Sequence, residues 1–146
     1  MDTSIVCGVD GSVDSQAALR VADAMAKRLG TRLVLAHVVE YAHAPYAAAS
    51  QPLRTPDLEQ KEESGQRLLA QLADEAGLDR AERRVASGFA AEGLADLADE
   101  EKAELIVVGS RGRGAFKAAF LGSVSTSLIG VARCPVLVVP PGAAQS

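Results

Sequence analysis

The 146-residue chain contains no tryptophan and only 3% aromatic residues, so its core must be built from alanine, valine, leucine and isoleucine. No apolar run approaches the ~20 residues needed to cross a bilayer, and no membrane association is expected. The N-terminus, Met1-Asp2-Thr3-Ser4, lacks a basic segment and a small-residue cleavage site. It leads straight into a short apolar run, so no signal peptide is expected and the expected location is the cytoplasm. Cysteine is scarce. Cys7 and Cys134 each lie in or beside an apolar run with no histidine cluster nearby. That excludes a zinc site and fits two reduced, buried thiols. Acid is missing from the C-terminal part: all 19 Asp and Glu lie at or before Glu104, whereas four of the 15 Lys and Arg follow it. With a net charge of -4 overall, an acid-free basic stretch suits a small anionic ligand better than a long nucleic acid. Chance segregation of charge in a short segment would look the same.

Hydrophobic residues make up 48% of the chain and charged residues 23%, the balance of one soluble domain spanning residues 1–146. Residues 4–10 (SIVCGVD) read as a buried strand that stops at Asp10-Gly11-Ser12. Ser12 caps a first helix whose apolar face carries Ala18, Ala22, Met25 and Leu29, and Gly30 ends it. Residues 32–39 (RLVLAHVV) form a second strand. Residues 40–56 form a long loop rich in Ala and Pro, expected to be mobile or functional. Thr55 caps a second helix with Pro56 in its first turn. Leu58, Leu68, Leu69, Leu72 and Ala76 line its inner side. Residues 82–87 are a weaker third strand, and 91–103 a helix with Leu94, Leu97 and Ala98 inward. A fourth strand, 105–108, ends at Gly109. A fourth helix covers 123–132, a fifth strand is bounded by Pro135 and Val139, and 141–146 form a tail.

Continuous apolar strands alternating with helices predict an α/β fold, a three-layer sandwich around a five-stranded parallel sheet. The doubly wound order 3-2-1-4-5 would place strands one and four side by side at the switch point, where ligands of such sheets bind. Asp10 and Gly109 would then face one crevice.

Between Gly109 and Ser125 the chain reads GSRGRGAFKAAFLGSVS. Glycines at a strand end permit close backbone approach to a ligand. Ser123 and Ser125 open the next helix, whose first-turn N–H groups and hydroxyls can hold phosphate oxygens. Arg111, Arg113 and Lys117 add positive potential. Neither GxxxxGK[ST] nor GxGxxG occurs, which excludes the Walker and dinucleotide fingerprints. A flexible connection capped by Ser123 is the plain alternative.

Gly109, Gly112, Gly122 and Ser123 fit the spacing G-x2-G-x9-G-[ST]. With VDGS at Asp10, LAHVV, IVVGSRG and GSVSTSLIGVARCPVLVV, the chain resembles the ATP-binding branch of the universal stress protein family, over nearly its whole length. The resemblance implies a Rossmann-like fold of the adenine nucleotide alpha hydrolase type and a nucleotide-dependent stress-response role. It implies ATP, with Mg2+ or Mn2+ held through the phosphates. It also implies site residues: Asp10 on the ribose or adenine side, Val38 and the backbone of Val108 framing adenine, Gly109 and Gly112 near ribose and phosphates, and Gly122, Ser123, Val124 and Ser125 on the phosphates. Arg111 is a further candidate. A homodimer through the edge strand from Pro135 to Val139 is implied as well, with an unidentified protein partner. Slow ATP hydrolysis or phosphoryl transfer, and sensing of another adenine nucleotide such as cyclic AMP, are the alternatives.

Asp10 has a plainer reading as a turn or cap residue. His37 has no partner at metal or triad spacing and reads as structural. Glu59, Glu62 and Glu63 read as a solvated helix face. No nucleophile with a convincing base is found, so no dedicated catalytic site is expected.

Overall fold

Five strands form where the apolar runs lie: β1 (Ser4–Gly8), β2 (Arg32–Val39), β3 (Glu82–Ser87), β4 (Ala103–Gly109) and β5 (Val136–Val139). The computed structural model describes residues 2–40, 55–111 and 121–143. Every strand pair is parallel, and the order is β3-β2-β1-β4-β5, as the alternation of elements predicts. Four helices, α1 (Val13–Leu29), α2 (Pro56–Glu75), α3 (Ala90–Glu100) and α4 (Ser123–Val131), cover the sheet.

Side chains of a strand alternate between faces, so each central strand feeds two cores. Ile5 and Cys7 of β1 pack with α1 and α2, while Val6 packs with α3 and α4. In β4 the same division separates Val107 from Ile106 and Val108. These central positions are fully or almost fully buried, which is why their sequence is continuously apolar rather than alternating.

Local chemistry sets the helix ends. The Ser12 hydroxyl accepts from the Ser15 N–H at 3.2 Å, and the Thr55 hydroxyl accepts from Leu58 N–H at 3.1 Å. Both are the expected N-caps. Gly30 closes α1 at φ 67, where a side chain would be strained.

Three expectations about helix faces and ends need correction. Leu29 sits in the final turn of α1 and is 56% exposed, whereas Ala26 is buried. Ala76 is the C-cap of α2 and exposed, because the helical period has ended; Ala73 takes the inner position. The third helix stops at Glu100 rather than 103, because Lys102 at φ 54 turns the chain into β4.

A charged cluster ties the amino ends of the sheet to the end of α3, on the side opposite the strands' carboxyl ends. Arg32 donates to Glu82 at 2.6 Å and to Glu101 at 3.0 Å, and its second nitrogen reaches the Glu101 carbonyl at 2.9 Å. Arg84 pairs with both Glu100 and Glu101. The hydrogen bond from Arg32 holds the Glu101 carboxyl below the usual carboxylate range, with Arg84 adding to the effect and burial opposing it.

Candidate functional site

A crevice of about 850 Å³ opens at the carboxyl ends of β1, β2 and β4. It sits where the chain passes from β1 to α1 on one side and from β4 toward α4 on the other, the switch point of the sheet. Nine of the ten residues expected to hold the nucleotide line it: Asp10, Val38, Val108, Gly109, Arg111, Gly122, Ser123, Val124 and Ser125. Gly112, and with it Arg113 and Lys117, lies outside the described residues.

Three helix N-termini reach this crevice: those of α1 and α4, and that of α3 through Ala90, which has no side-chain cap and carries Glu92 in its first turn. That of α1 has a side-chain cap. Asp10 Oδ1 accepts from the Ser12 N–H at 2.9 Å, Ser12 Oγ caps Ser15, and Ser15 Oγ donates back to the Ser12 carbonyl at 3.0 Å. The turn role weighed for Asp10 is therefore real, and Asp10 also walls the crevice.

The N-terminus of α4 has no such arrangement. Its N-cap is Gly122, no side chain caps it, and its first turn carries no acid. The first-turn N–H groups of Ser123, Val124 and Ser125 have no intrahelical acceptor, and the helix dipole adds positive potential there. The Ser125 hydroxyl, expected among the phosphate ligands, donates instead to the carbonyls of Ser110 and Gly122 at 3.1 and 3.2 Å. Its oxygen keeps accepting capacity. Ser123 is exposed and Gly122 buried.

Asp14 is the residue that sequence reasoning missed. It lies buried in the first turn of α1, 6% exposed. Its Oδ2 accepts from Ser110 Oγ at 2.6 Å and from the Arg111 N–H at 3.0 Å, and lies 3.6 Å from Arg111 Nε. The basic stretch therefore does have a carboxylate beside it, supplied by tertiary contact rather than by sequence neighbours. Its only local signal was an acid in a helix first turn, which has a routine explanation in the helix dipole.

Gly109 lines the crevice and is also passed closely by α1. A Cβ on Gly109 would lie 2.6 Å from the Asp14 carbonyl carbon and 2.8 Å from Asp14 Cβ. Glycine is required there by the close passage of α1.

His37 Nδ1 lies 2.8 Å from the Val9 carbonyl. A carbonyl only accepts, so Nδ1 carries hydrogen, and a neutral ring then leaves Nε2 as an acceptor. The ring supports the β1 end next to Asp10 while lining the crevice. Glu62 of α2 accepts from Ser87 Oγ at 2.8 Å, so it joins α2 to β3 rather than belonging to a merely solvated face. Among the described residues, no group of three or more His, Cys, Asp or Glu is placed to hold a metal ion, and no helix is long and apolar enough to cross a membrane.

The family model described as "Universal stress protein family" matches residues 1–140. The chain belongs to the universal stress protein family. A universal stress protein of Thermus aquaticus is 34% identical over 140 residues, covering 95% of this chain and 99% of the relative. A universal stress protein of Mycolicibacterium smegmatis is 39% identical over 144 residues. The chain spans about half the length of that relative and of the other mycobacterial relatives it matches. Among solved structures, a universal stress protein described as in complex with cAMP is 27% identical, with a TM-score of 0.67 and coverage of 94% and 96%. UspA of Lactobacillus plantarum, at 21% identity and a TM-score of 0.73 over 94% and 97% of the two chains, shares the fold. These universal stress protein structures are the Rossmann-like sandwich expected from the sequence.

Proposed function

We propose that this universal stress protein binds an adenine nucleotide, ATP in the first place, in the crevice at the switch point, and acts as a nucleotide-dependent regulator in the cytoplasm. The observation that carries the reading is the uncapped, acid-free N-terminus of α4 opening on a crevice of about 850 Å³. The α3 start, whose first residue Ala90 also lines the crevice, is uncapped as well but carries Glu92 in its first turn, whereas the α4 start combines open donors with no acid, which suits an anion better. The cAMP complex of a relative at 27% identity supports adenine as the base.

In this reading Gly122, Ser123, Val124 and Ser125 hold the phosphates, with Arg111 beside them and Gly112 completing the loop. Asp10, Val38 and the Val108 backbone frame ribose and adenine. Gly109, on the crevice wall, runs near ribose and phosphates and also lets α1 pass. A divalent cation, Mg2+ or Mn2+, would be held through the phosphates. The β5 edge, with Val136, Leu137 and Val138 only partly buried in the single chain, would pair with a second copy across a two-fold axis.

The test is to denature freshly purified protein, identify any released nucleotide by chromatography, and titrate stripped protein with ATP and cAMP. Release or binding of ATP supports the reading, and preference for cAMP moves it to the alternative ligand. Stripped protein that binds neither refutes it.

A further inference from the structure

Asp14 is a buried carboxylate to which the binding site, as read above, gives no part. Its Oδ2 collects three contacts, all from the two residues that follow β4: Ser110 Oγ, the Arg111 N–H and Arg111 Nε. Ser110 in turn passes the constraint on. Its carbonyl accepts from the Gly122 N–H at 2.7 Å and from Ser125 Oγ at 3.1 Å. Gly122 is the N-cap of α4. A continuous chain of hydrogen bonds therefore runs from the first turn of α1, through Ser110, to the first turn of α4.

We propose that Asp14 is a positioning residue for the phosphate end of the site: through Ser110 it sets where the free N–H groups of α4 point, and through Arg111 it sets where the guanidinium stands. The inference rests on the adenine-nucleotide reading above. Asp14 itself is not among the residues lining the crevice, so it acts only through its partners. Three features favour this role over simple packing. The contacts are polar and gathered on one oxygen. They cross between elements 96 and 97 residues apart in sequence. They end on a helix turn whose donors remain uncapped.

The role predicts a pattern that a general loss of structure does not produce. Only the phosphate end depends on the chain of bonds, so its loss should weaken ATP and leave adenosine alone. With Asp14→Ala, charge-assisted bonds to Ser110 and Arg111 disappear, and ATP affinity should fall by about tenfold or more. Asp14→Asn keeps an accepting oxygen for Ser110 and the Arg111 N–H while removing the charge, and should keep ATP affinity within about threefold of wild type. Ser110→Ala breaks the chain at its second link and should show a smaller, equally ATP-selective loss; it carries the test if Asp14→Ala does not fold.

The experiment is calorimetric titration of stripped wild type and the three variants with ATP and with adenosine. A selective loss for ATP in Asp14→Ala or Ser110→Ala, rescued in Asp14→Asn, supports the proposal. Unchanged ATP affinity, or equal weakening of ATP and adenosine, overturns it. Wild-type protein that binds neither compound fails the nucleotide reading itself, and the positioning role falls with it.

Discussion

Replacing Gly109 with alanine asks why that glycine is there. The added Cβ would meet the Asp14 carbonyl carbon at 2.6 Å and the Asp14 carbonyl oxygen and Cβ at 2.8 Å. Ordinary van der Waals contact begins about 3.5 Å between carbon atoms, so backbone has to move by the better part of an ångström. The obstacle is the first turn of α1 rather than the far end of a flexible side chain. Gly109 is also paired with Val139 in the sheet, which limits retreat on the other side. Overpacking of this kind costs about 1–3 kcal/mol, and the rigidity of both neighbours puts this site toward the upper part. For a domain of this size that corresponds to a lowering of Tm by roughly 4–10 °C. The measurement is thermal and denaturant unfolding of nucleotide-free protein, so that ligand linkage does not enter. Movement of α1 would also shift Asp14 away from Ser110, so weaker ATP binding should accompany the loss of stability. A variant as stable as wild type that has lost only nucleotide affinity would show that glycine serves the ligand's approach, and the packing argument would be wrong.

Glu101 supplies a pH dependence with a definite sign. Its carboxyl is held low in the folded state, chiefly by the hydrogen bond from Arg32. Its contribution is therefore full above the unfolded value of about 4.3, and is lost as pH falls through the depressed folded value. Glu101→Gln should lower stability at pH 7 by about 1 kcal/mol, since its arginine partners are partly exposed, and reduce the difference between pH 7 and pH 3. Denaturant titrations showing an unaltered difference between the two pH values would contradict this. Cys7 is fully buried, and burial pushes its thiol up to about 12. At pH 8 a disulfide reagent should react with Cys134 alone in the folded protein, and with both thiols after denaturation; rapid reaction of both in native protein would count against the buried β1 core.

Fold legibility followed from the physics of local elements. The continuous apolar strands, the caps Ser12 and Thr55 and the stop at Gly30 act within a few residues, and each appeared where the chain spelled it. Lys102 broke the pattern, because a lysine at positive φ leaves no mark in sequence, and the third helix ended early. Ala76 was misplaced for a related reason: periodicity names a face but not the residue where the helix stops. At the site, glycine and serine spacing marked the β4–α4 connection without help from any partner. Asp14 stayed hidden because its partners lie 96 and 97 residues away, and nothing in a helix first turn distinguishes a carboxylate that serves the helix from one that crosses to another strand.

By itself, the sequence determined the alternation of elements, their apolar faces, and a glycine- and serine-rich connection after β4, because these depend on composition and short-range spacing. Only the tertiary structure decided which helix N-termini reach the crevice and why Gly109 has no side chain. It also decided which carboxylate stands behind Arg111. Those three facts arise where β1 and β4 become neighbours in the sheet, and the chain brings them together only once it is folded.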